Sequence, residues 1–320
     1  MSNLKKQHQK LLILGILSII SILIYCTIDI DLRYLEYAMF IRLPKLSAMI
    51  IAAISIGIAS IIFQSIINNR MVTPCLLGMN SLYILIHTGI VFILGSDSFI
   101  AINAQVGFIV DIILMMVVGT FIYSFLFKKT KSNVLYIILA GSVLATFFTS
   151  ISNTMTRVMD PNEYDQLLSE LVPGFDHVNQ ELLLMAVVLI IGIIIISIKY
   201  LKLLDVITLG KNQAINLGVD YDKTVQRLMI VVVCLITVAT ALVGPISFLG
   251  LIIANLGRSM FKTYRHYILI TATSLVGIIV LVVGQTLIEN VFGFGTQISV
   301  FINLFGGAYF LYLVLKNKGV

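Results

Sequence analysis

Charged residues are scarce in this 320-residue chain, and their scarcity excludes whole classes of protein. Only 11% of the residues are Asp, Glu, Lys or Arg, whereas 59% are hydrophobic. Because a soluble domain carries roughly a quarter of its residues as charges, a soluble fold is excluded. The net charge of +6 does not predict nucleic-acid binding, since the basic residues stand in short clusters between apolar runs. Clusters of that kind orient a membrane protein.

Cysteine is also rare, and the usual motifs of enzymatic chemistry are missing. The three cysteines have neither the spacing of metal ligands nor an even number for disulfides. No phosphate-binding loop is present, because Gly210-Lys211-Asn212 lacks both the upstream glycine and the hydroxyl residue of that motif. We therefore predict no catalytic residues, no metal and no directly bound cofactor. Any ATP must be hydrolysed by a separate chain.

Long apolar runs are what the sequence does contain. A membrane helix needs about 20 mainly apolar residues, and such runs predict ten spans in a single membrane domain, 1–320. The predicted spans are 11–28, 44–67, 75–95, 104–127, 133–156, 183–200, 228–244, 246–260, 267–288 and 298–316. Only Gly244-Pro245 separates the seventh from the eighth, and one kinked helix there would leave nine spans.

Charge asymmetry favours ten spans, with both termini on the cytoplasmic side of the membrane. In that arrangement the inner segments hold 17 of the 21 Lys and Arg residues, the bias that orients membrane proteins. A nine-span chain would place Lys316 and Lys318 outside. The first apolar run follows three lysines and is not followed by a small-residue cleavage site, which predicts an uncleaved span.

An acidic loop lies between the fifth and sixth predicted spans, at residues 159–181. It holds six carboxylates and His177, which alone makes no metal site. We expect a short surface helix around Asp165 to Val172, ended by Pro173-Gly174. The loop is either a solvated face or a docking surface for an extracellular partner.

Asp111 is the only ionisable residue that we place well inside a predicted span. A lone carboxylate within a membrane is a functional candidate, here for coupling to protons or cations. Its position about two turns from the outer end of the span also allows simple hydration.

One polar segment, residues 199–227, interrupts the apolar pattern. It carries five basic and three acidic residues. Gly210 and Gly218 predict a short helix between them, joined by a turn to a second short helix that starts near Tyr221. On these residues alone, the segment is either an amphipathic interfacial loop or a knob that contacts a soluble protein.

Two further stretches stand out by their proline and small residues. Arg42-Leu43-Pro44-Lys45 opens the second span, and we expect its proline at the helix start, where the missing N–H costs nothing. That span ends at Gln64 and leads into NNRMVTPCLLGMNS (68–81), which includes Asn80. LVGPISFLGLIIANLGR (242–258) contains glycines that allow close helix contact or a broken helix.

Together these stretches resemble the permease subunits of the FecCD/BtuC-type ABC importers. The R-L-P-[RK] start, T-P-x-L-L-G turn, L-G-x-x-x-A-x-x-L-G-V loop and G-P-I-x-F-x-G-L-I segment follow that family's order and spacing across residues 40–316. The family imports ferric siderophores, haem and cobalamin. The resemblance implies an all-α integral membrane protein of about ten helices, with the type II ABC importer architecture and a ferric siderophore as cargo.

The resemblance also implies partners. They are a second permease subunit, identical or homologous, two ATP-binding subunits that use the ATP, an extracytoplasmic substrate-binding lipoprotein, and membrane lipid. Seven residues match the element that docks on the ATPase: Leu209, Gly210, Lys211, Ala214, Leu217, Gly218 and Val219. Arg42 and Lys45 match an outer basic pair that meets acidic residues on the binding protein, with snorkelling at the helix end as the alternative.

Five residues are left as candidates for the translocation path or for packing: Gln64, Asn80, Asp111, Gly244 and Pro245. Two departures from the family pattern bear on the partners. Lys211 stands where the family usually has Glu, and Glu289 falls near the position of an outer arginine. The alternatives are a haem or cobalamin permease of the same family, an ion-coupled secondary transporter that uses Asp111, or a structural membrane scaffold.

Overall fold

The computed structural model describes residues 2–29, 33, 35–130, 134–175, 178–291 and 296–317, and helices dominate them. The helices are α1 Ser2–Thr27, α2 Leu35–Ile67, α3 Met79–Leu94, α4 Phe99–Ile102, α5 Ala104–Lys129, α6 Val134–Val158, α7 Pro161–Leu171, α8 Gln180–Leu201, α9 Leu204–Ile207, α10 Lys211–Asn216, α11 Tyr221–Val243, α12 Leu249–Met260, α13 His266–Val291 and α14 Ile298–Asn317. A 3₁₀ turn, Cys75–Leu77, precedes α3.

The apolar helices correspond to the ten predicted spans. Within the described ranges, eight helices are long and apolar enough to cross a membrane, namely α1, α2, α5, α6, α8, α11, α13 and α14. α3 and α12 are apolar but shorter. The chain leaves helical geometry between α11 and α12, so the alternative of one long kinked helix there is wrong.

α2 is the central helix of the bundle. It packs against α8, α11, α12 and α13, and nearly every residue from Lys45 to Ile67 is buried. Small side chains allow this crowding: a Cβ added at Gly277 of α13 would lie 3.1 Å from the Cβ of Ala53. α2 therefore provides the rigid centre on which the other helices are arranged.

Pro44 does not start α2, so that part of the prediction was wrong. The helix begins nine residues earlier, at Leu35, and Pro44 lies inside it. The proline removes the backbone bond to the carbonyl of Phe40. This position is in the outer part of the helix, where the Phe40 side chain is exposed, so the loss falls outside the packed core.

The break between α11 and α12 is shaped by Gly244 and by the loop between α7 and α8 that packs on it. Gly244 has a φ of +79°, a conformation that favours glycine. A Cβ there would lie 2.7 Å from the Cα of Pro173. The Gly174 N–H donates to the Val243 carbonyl (3.1 Å), and the Ser299 hydroxyl donates to the Pro173 carbonyl (2.7 Å). The loop between α7 and α8 thus packs directly against the break and hydrogen-bonds to it.

The predictions for the loop regions were partly right. The surface helix of the acidic loop exists as α7, but it starts earlier than expected because Asp160 caps it and Pro161 takes its first position. The helix that starts at Tyr221 is continuous with the seventh span, so a separate second short helix is wrong. α9 was not predicted. His177 lies outside the described residues.

Gly244→Ala should destabilise the protein. The added methyl group meets backbone atoms of Pro173 and takes a left-handed conformation, and we expect a loss of about 2 kcal/mol in the free energy of unfolding. Thermal unfolding of the purified protein in detergent measures it. Gly192→Ala is the matched control, because a Cβ at Gly192 has no neighbour within 4 Å. Equal melting temperatures for the two variants would contradict the role given to Gly244.

Candidate functional site: the α8–α11 loop and two buried polar clusters

The loop between α8 and α11, residues 202–220, folds as the glycine spacing predicts at its centre. Gly210 and Gly218 bracket α10 with φ values of +98° and +80°. No neighbouring atom lies within 4 Å of a Cβ built at either position. Both glycines are therefore required by the path of the backbone. After Gly218, the Val219 N–H returns to the Ala214 carbonyl at 3.0 Å and closes the helix end.

The exposed face of this loop is unusually apolar. Ala214 is fully buried and Val219 is partly buried, so these two residues anchor α10 on the protein. In contrast, the side chains of Leu209, Ile215 and Leu217 are between 51% and 61% exposed. Leucine and isoleucine grouped on an exposed polar loop are typical of a surface that contacts another protein.

Lys211 has a partner within the chain. Its ammonium lies 2.8 Å from both carboxylate oxygens of Asp222 and 5.9 Å from the centre of the Tyr221 ring. The side chains of the ion pair are about half or more exposed, 53% for Lys211 and 72% for Asp222. The pair thus ties α10 to the first turn of α11 while its lysine stays accessible.

A buried polar cluster lies where this loop meets α2, α12 and α13. We call it the Ser65 cluster; its members are Asp205, His266, Ser65, Arg258 and Gln64. Asp205 accepts from the backbone N–H of His266 (2.9 Å) and contacts its Nδ1. The Nε2 of His266 lies 2.9 Å from the Ser65 hydroxyl, and Arg258 donates to Ser65 (2.9 Å) and to Gln64 (3.2 Å).

The cluster also fixes the turn after α2. The Gln64 amide donates to the carbonyl of Arg70 at 2.9 Å, and Asn255 of α12 donates to the same carbonyl at 3.0 Å. Gln64, predicted as a path or packing residue, is thereby placed in a hydrogen-bonded contact between α2, α12 and the turn. Sequence reasoning did not find Ser65, Asp205 or His266, because their partners are about 60 to 200 positions away.

A second polar cluster lines a cavity of about 540 Å³ near the opposite end of the bundle, between α3, α5, α7, α8 and α11. The Nδ1 of His87 lies 2.8 Å from Asp111 Oδ2, and its Nε2 lies 2.9 Å from Glu170 Oε2. With both carboxyl groups ionised, each accepts a hydrogen bond from the ring, and we assign a proton to both ring nitrogens of His87. Asp111 is therefore not the lone ionisable group that we predicted, because His87 lies inside the third span.

Glu170 joins this cluster from α7, outside the membrane helices. Burial opposes its ionisation, but the hydrogen bond and the charge of His87 prevail and hold the pKa of this carboxyl below its usual value. The hydrogen bonds of His87 with Asp111 and Glu170 attach α7 to α3 and α5. A small apolar contact of Leu167 with Val91 and Met159 supports the same attachment.

Arg42 and Lys45 are both engaged inside the chain. The Arg42 guanidinium donates to the carbonyls of Tyr25 (2.6 Å) and Ile28 (2.8 Å), which caps the end of α1. Lys45 is only 8% exposed, and its ammonium lies 3.4 Å from Glu289 Oε1. Glu289, the departure from the family pattern, is thus a partner of Lys45. These contacts do not test the docking role, which stays a prediction.

The remaining predicted residues meet at the break between α11 and α12. The Asn80 amide donates to the Ser247 hydroxyl at 3.1 Å and connects α3 to the break. Pro245 is buried there, and Gly244 lines the same cavity as Asp111. The structure therefore places Asn80 against the segment that contains Gly244 and Pro245, whereas Gln64 belongs to the Ser65 cluster.

The apolar helices and the exposed loop define a multi-pass membrane permease. The FecCD transport family matches residues 6–316, and the chain belongs to that family. It is a transport subunit, not an enzyme. The chain is 41% identical to the petrobactin import system permease protein YclO of Bacillus subtilis (strain 168), over 90% of this chain and 91% of that protein. It is 31% identical to the petrobactin import system permease protein FatC of Bacillus anthracis, over 97% and 88%.

A solved structure has the same fold. It is described as an inward-facing conformation of a metal-chelate type ABC transporter, and it superimposes with a TM-score of 0.82 over 97% of this chain and 99% of that chain. The sequence identity is 23%, so the likeness concerns the fold alone. It confirms the predicted all-α permease architecture.

His87→Leu should destabilise the protein by about 3–5 kcal/mol, because it leaves the Asp111 carboxylate buried beside no cation. In the double variant His87→Leu/Asp111→Leu, most of that loss should be recovered, since an apolar replacement of a whole buried pair is often neutral. Denaturant unfolding in detergent micelles measures both. A double variant as unstable as the single one would show that the pairing of His87 with Asp111 is unimportant.

Proposed function

We propose that this chain is the permease subunit of an ABC importer that carries a ferric siderophore across the bacterial cytoplasmic membrane. The α8–α11 loop carries the proposal: a membrane permease without a phosphate-binding loop presents three exposed apolar side chains on and beside α10, with Leu209 before Gly210, Ile215 in the helix and Leu217 just after it. Such a surface fits a soluble ATPase that supplies the energy. The two relatives named as petrobactin import permeases make ferric petrobactin the first cargo to test.

The complete importer, in this proposal, contains two permease subunits, identical or homologous, and two ATP-binding subunits. An extracytoplasmic substrate-binding lipoprotein delivers the cargo, and membrane lipid surrounds the bundle. The chain is a single permease domain, 1–320, that binds no cofactor itself. Both termini and the α8–α11 loop are cytoplasmic, which the concentration of 17 of the 21 Lys and Arg residues in the inner segments supports.

The proposed mechanism couples ATP binding to movement of the α8–α11 loop. Leu209, Ile215 and Leu217 insert into a groove of the ATPase, and the buried Ala214 holds α10 against the permease. Closure of the ATPase pair brings the two loops together, and the permeases rotate as rigid bodies between outward and inward openings. Lys211 adds a positive charge to this surface, so the facing groove should be acidic near Lys211.

The binding protein docks, in this proposal, on the outer face marked by Arg42 and Lys45. Electrostatic complementarity would fix its register. Because both cations also make contacts inside the chain, the loss of either one affects the local structure as well as docking.

Two alternatives receive less support. An ion-coupled transporter would need Asp111 to load and release a cation, but His87 already neutralises this carboxylate at 2.8 Å. A haem or cobalamin permease would share the architecture. Both relatives described above are named for siderophore import, which favours the siderophore.

Uptake of labelled cargo tests the proposal directly. Cells that contain this chain should accumulate ⁵⁵Fe supplied as ferric petrobactin, and cells from which it is deleted should not. Haem and cobalamin serve as parallel cargoes. Uptake must also stop when the ATPase partner carries a hydrolysis-deficient substitution. Full uptake with the inactive ATPase would overturn the importer assignment.

Leu217→Asp should weaken assembly with the ATPase. Burial of one leucine contributes about 1.5–3 kcal/mol, so we expect affinity to fall roughly tenfold to a hundredfold. Binding of the purified ATPase to the permease in nanodiscs measures the change. Tyr264→Asp is the control, because Tyr264 is an exposed aromatic residue outside the α8–α11 loop. Equal losses in both variants would argue against a specific contact at Leu217.

A further inference from the structure

α10 is poorly connected to the membrane helices, although the proposed function requires it to move them. It has six residues, of which Ala214 alone is buried, and it packs mainly on α9 and α11. A push on α10 must therefore travel through one of these two neighbours. The following inference rests on the proposed function, because it concerns how that push reaches the bundle.

The contact with α11 is the weaker route. Besides chain continuity, it depends on the Lys211–Asp222 ion pair, and both side chains are largely in solvent. Exposed pairs of this kind contribute about 0–1 kcal/mol. They constrain the relative position of two helices only loosely.

The contact with α9 is buried and directional. Leu204 and Ile207 lie in the core with almost no exposure, and Asp205 between them holds His266 through both its backbone N–H and its ring. His266 and Ser65 are each 4% exposed. α9 is thereby attached to the beginning of α13 and to the end of α2.

The donors and acceptors of the Ser65 cluster form one ordered chain. We assign the proton of His266 to Nδ1, which donates to Asp205. Nε2 then accepts from the Ser65 hydroxyl at 2.9 Å, and the oxygen of Ser65 accepts from Arg258 at 2.9 Å. A neutral histidine thus satisfies every group in the sequence. Ordered chains of hydrogen bonds strengthen one another in a low-dielectric interior.

The far end of the chain reaches α12, the short helix that follows the break at Gly244. Arg258 lies in its last turn and also binds Gln64 of α2. α12 packs between α2 and α13 through Gly250 and Gly257, where added methyl groups would clash with Ser60 and Thr273. Small residues at these contacts let the backbone of α12 approach α2 and α13 closely, so α12 follows their polar contacts at short range.

We propose that Asp205, His266, Ser65 and Arg258 form the link that transmits movement of the α8–α11 loop to α12, with Ser65 and His266 as positioning residues for transport. Both residues are buried, so they act through the helices that they connect. The link converts displacement of α9 into displacement of α12 relative to the rigid α2.

Ser65→Ala tests the link at its centre. The permease is reconstituted in proteoliposomes with its ATPase and binding protein, and cargo transported is measured per ATP hydrolysed. We expect this ratio to fall at least about fivefold, the lower end of typical coupling effects, while ATPase binding and ATP hydrolysis persist. Ser65→Thr keeps the hydroxyl and should restore the ratio. A wild-type ratio in Ser65→Ala would overturn the proposal.

Ser197→Ala is the matched control. Ser197 is buried in α8 near the same loop, but its hydroxyl donates only to the Ile194 carbonyl of its own helix. A similar loss in this variant would contradict a specific link. The double variant Ser65→Ala/His266→Gln should be no worse than either single variant, whereas additive losses would show that the two residues act separately.

If Ser65→Ala does not fold, a further variant tests the same link. Asp205→Ala removes the oxygen that accepts both hydrogen bonds from His266 at the partly exposed start of the link, and it should lower the same ratio. An unchanged ratio in Asp205→Ala would also overturn the proposal. Absence of ATP-dependent transport by the wild-type complex would instead overturn the proposed function, so the two failures are distinguishable.

Discussion

Polar side chains enclosed by apolar helices have no water to bind, and each one left without a partner costs about 1–3 kcal/mol. For its main ionisable groups, the chain meets this constraint by gathering them into separate clusters. His87, Asp111 and Glu170 surround one cavity, and the Ser65 cluster lies near the other end of α2. Between them, α2 is lined with small and aliphatic residues. The permease thus combines an apolar middle with two polar ends that are held in defined geometry.

Each polar end attaches a peripheral element to the bundle. At one end, the carboxylate of Glu170 holds α7 over the cavity through His87. At the other, the carboxylate of Asp205 holds α9, and therefore the start of the α8–α11 loop, through His266. In both cases a histidine on a membrane helix is hydrogen-bonded to the carboxylate of a short helix outside the long spans. In both elements this polar contact adds to the packing of a few buried apolar side chains, Leu167 in α7 and Leu204 and Ile207 in α9.

The fold was largely predictable from the sequence because its determinants are local. Apolar runs gave the spans, and Gly210 and Gly218 gave the bounds of α10, since the left-handed backbone at each is a property of a single residue. The partners of buried polar groups were not predictable. Asp111 was interpreted as a lone carboxylate because nothing local connects it to His87, 24 positions away, or to Glu170, which reaches the same ring from α7. The prediction for Pro44 was wrong for the opposite reason. A local rule placed this proline at a helix start, but α2 begins nine residues before it, at Leu35.

Two departures from the family pattern illustrate how substitutions are compensated inside the chain. Glu289 introduces a negative charge near the position of the family's outer arginine. Its Oε1 lies 3.4 Å from the Nζ of Lys45, so an existing cation neutralises the new charge. Lys211 introduces a positive charge on the α8–α11 loop and lies 2.8 Å from Asp222. The first pair is buried and therefore fixes local structure. The second is exposed, so Lys211 can exchange Asp222 for a carboxylate of a partner at little cost. Of the two departures, only Lys211 is therefore exposed enough to contact a partner protein.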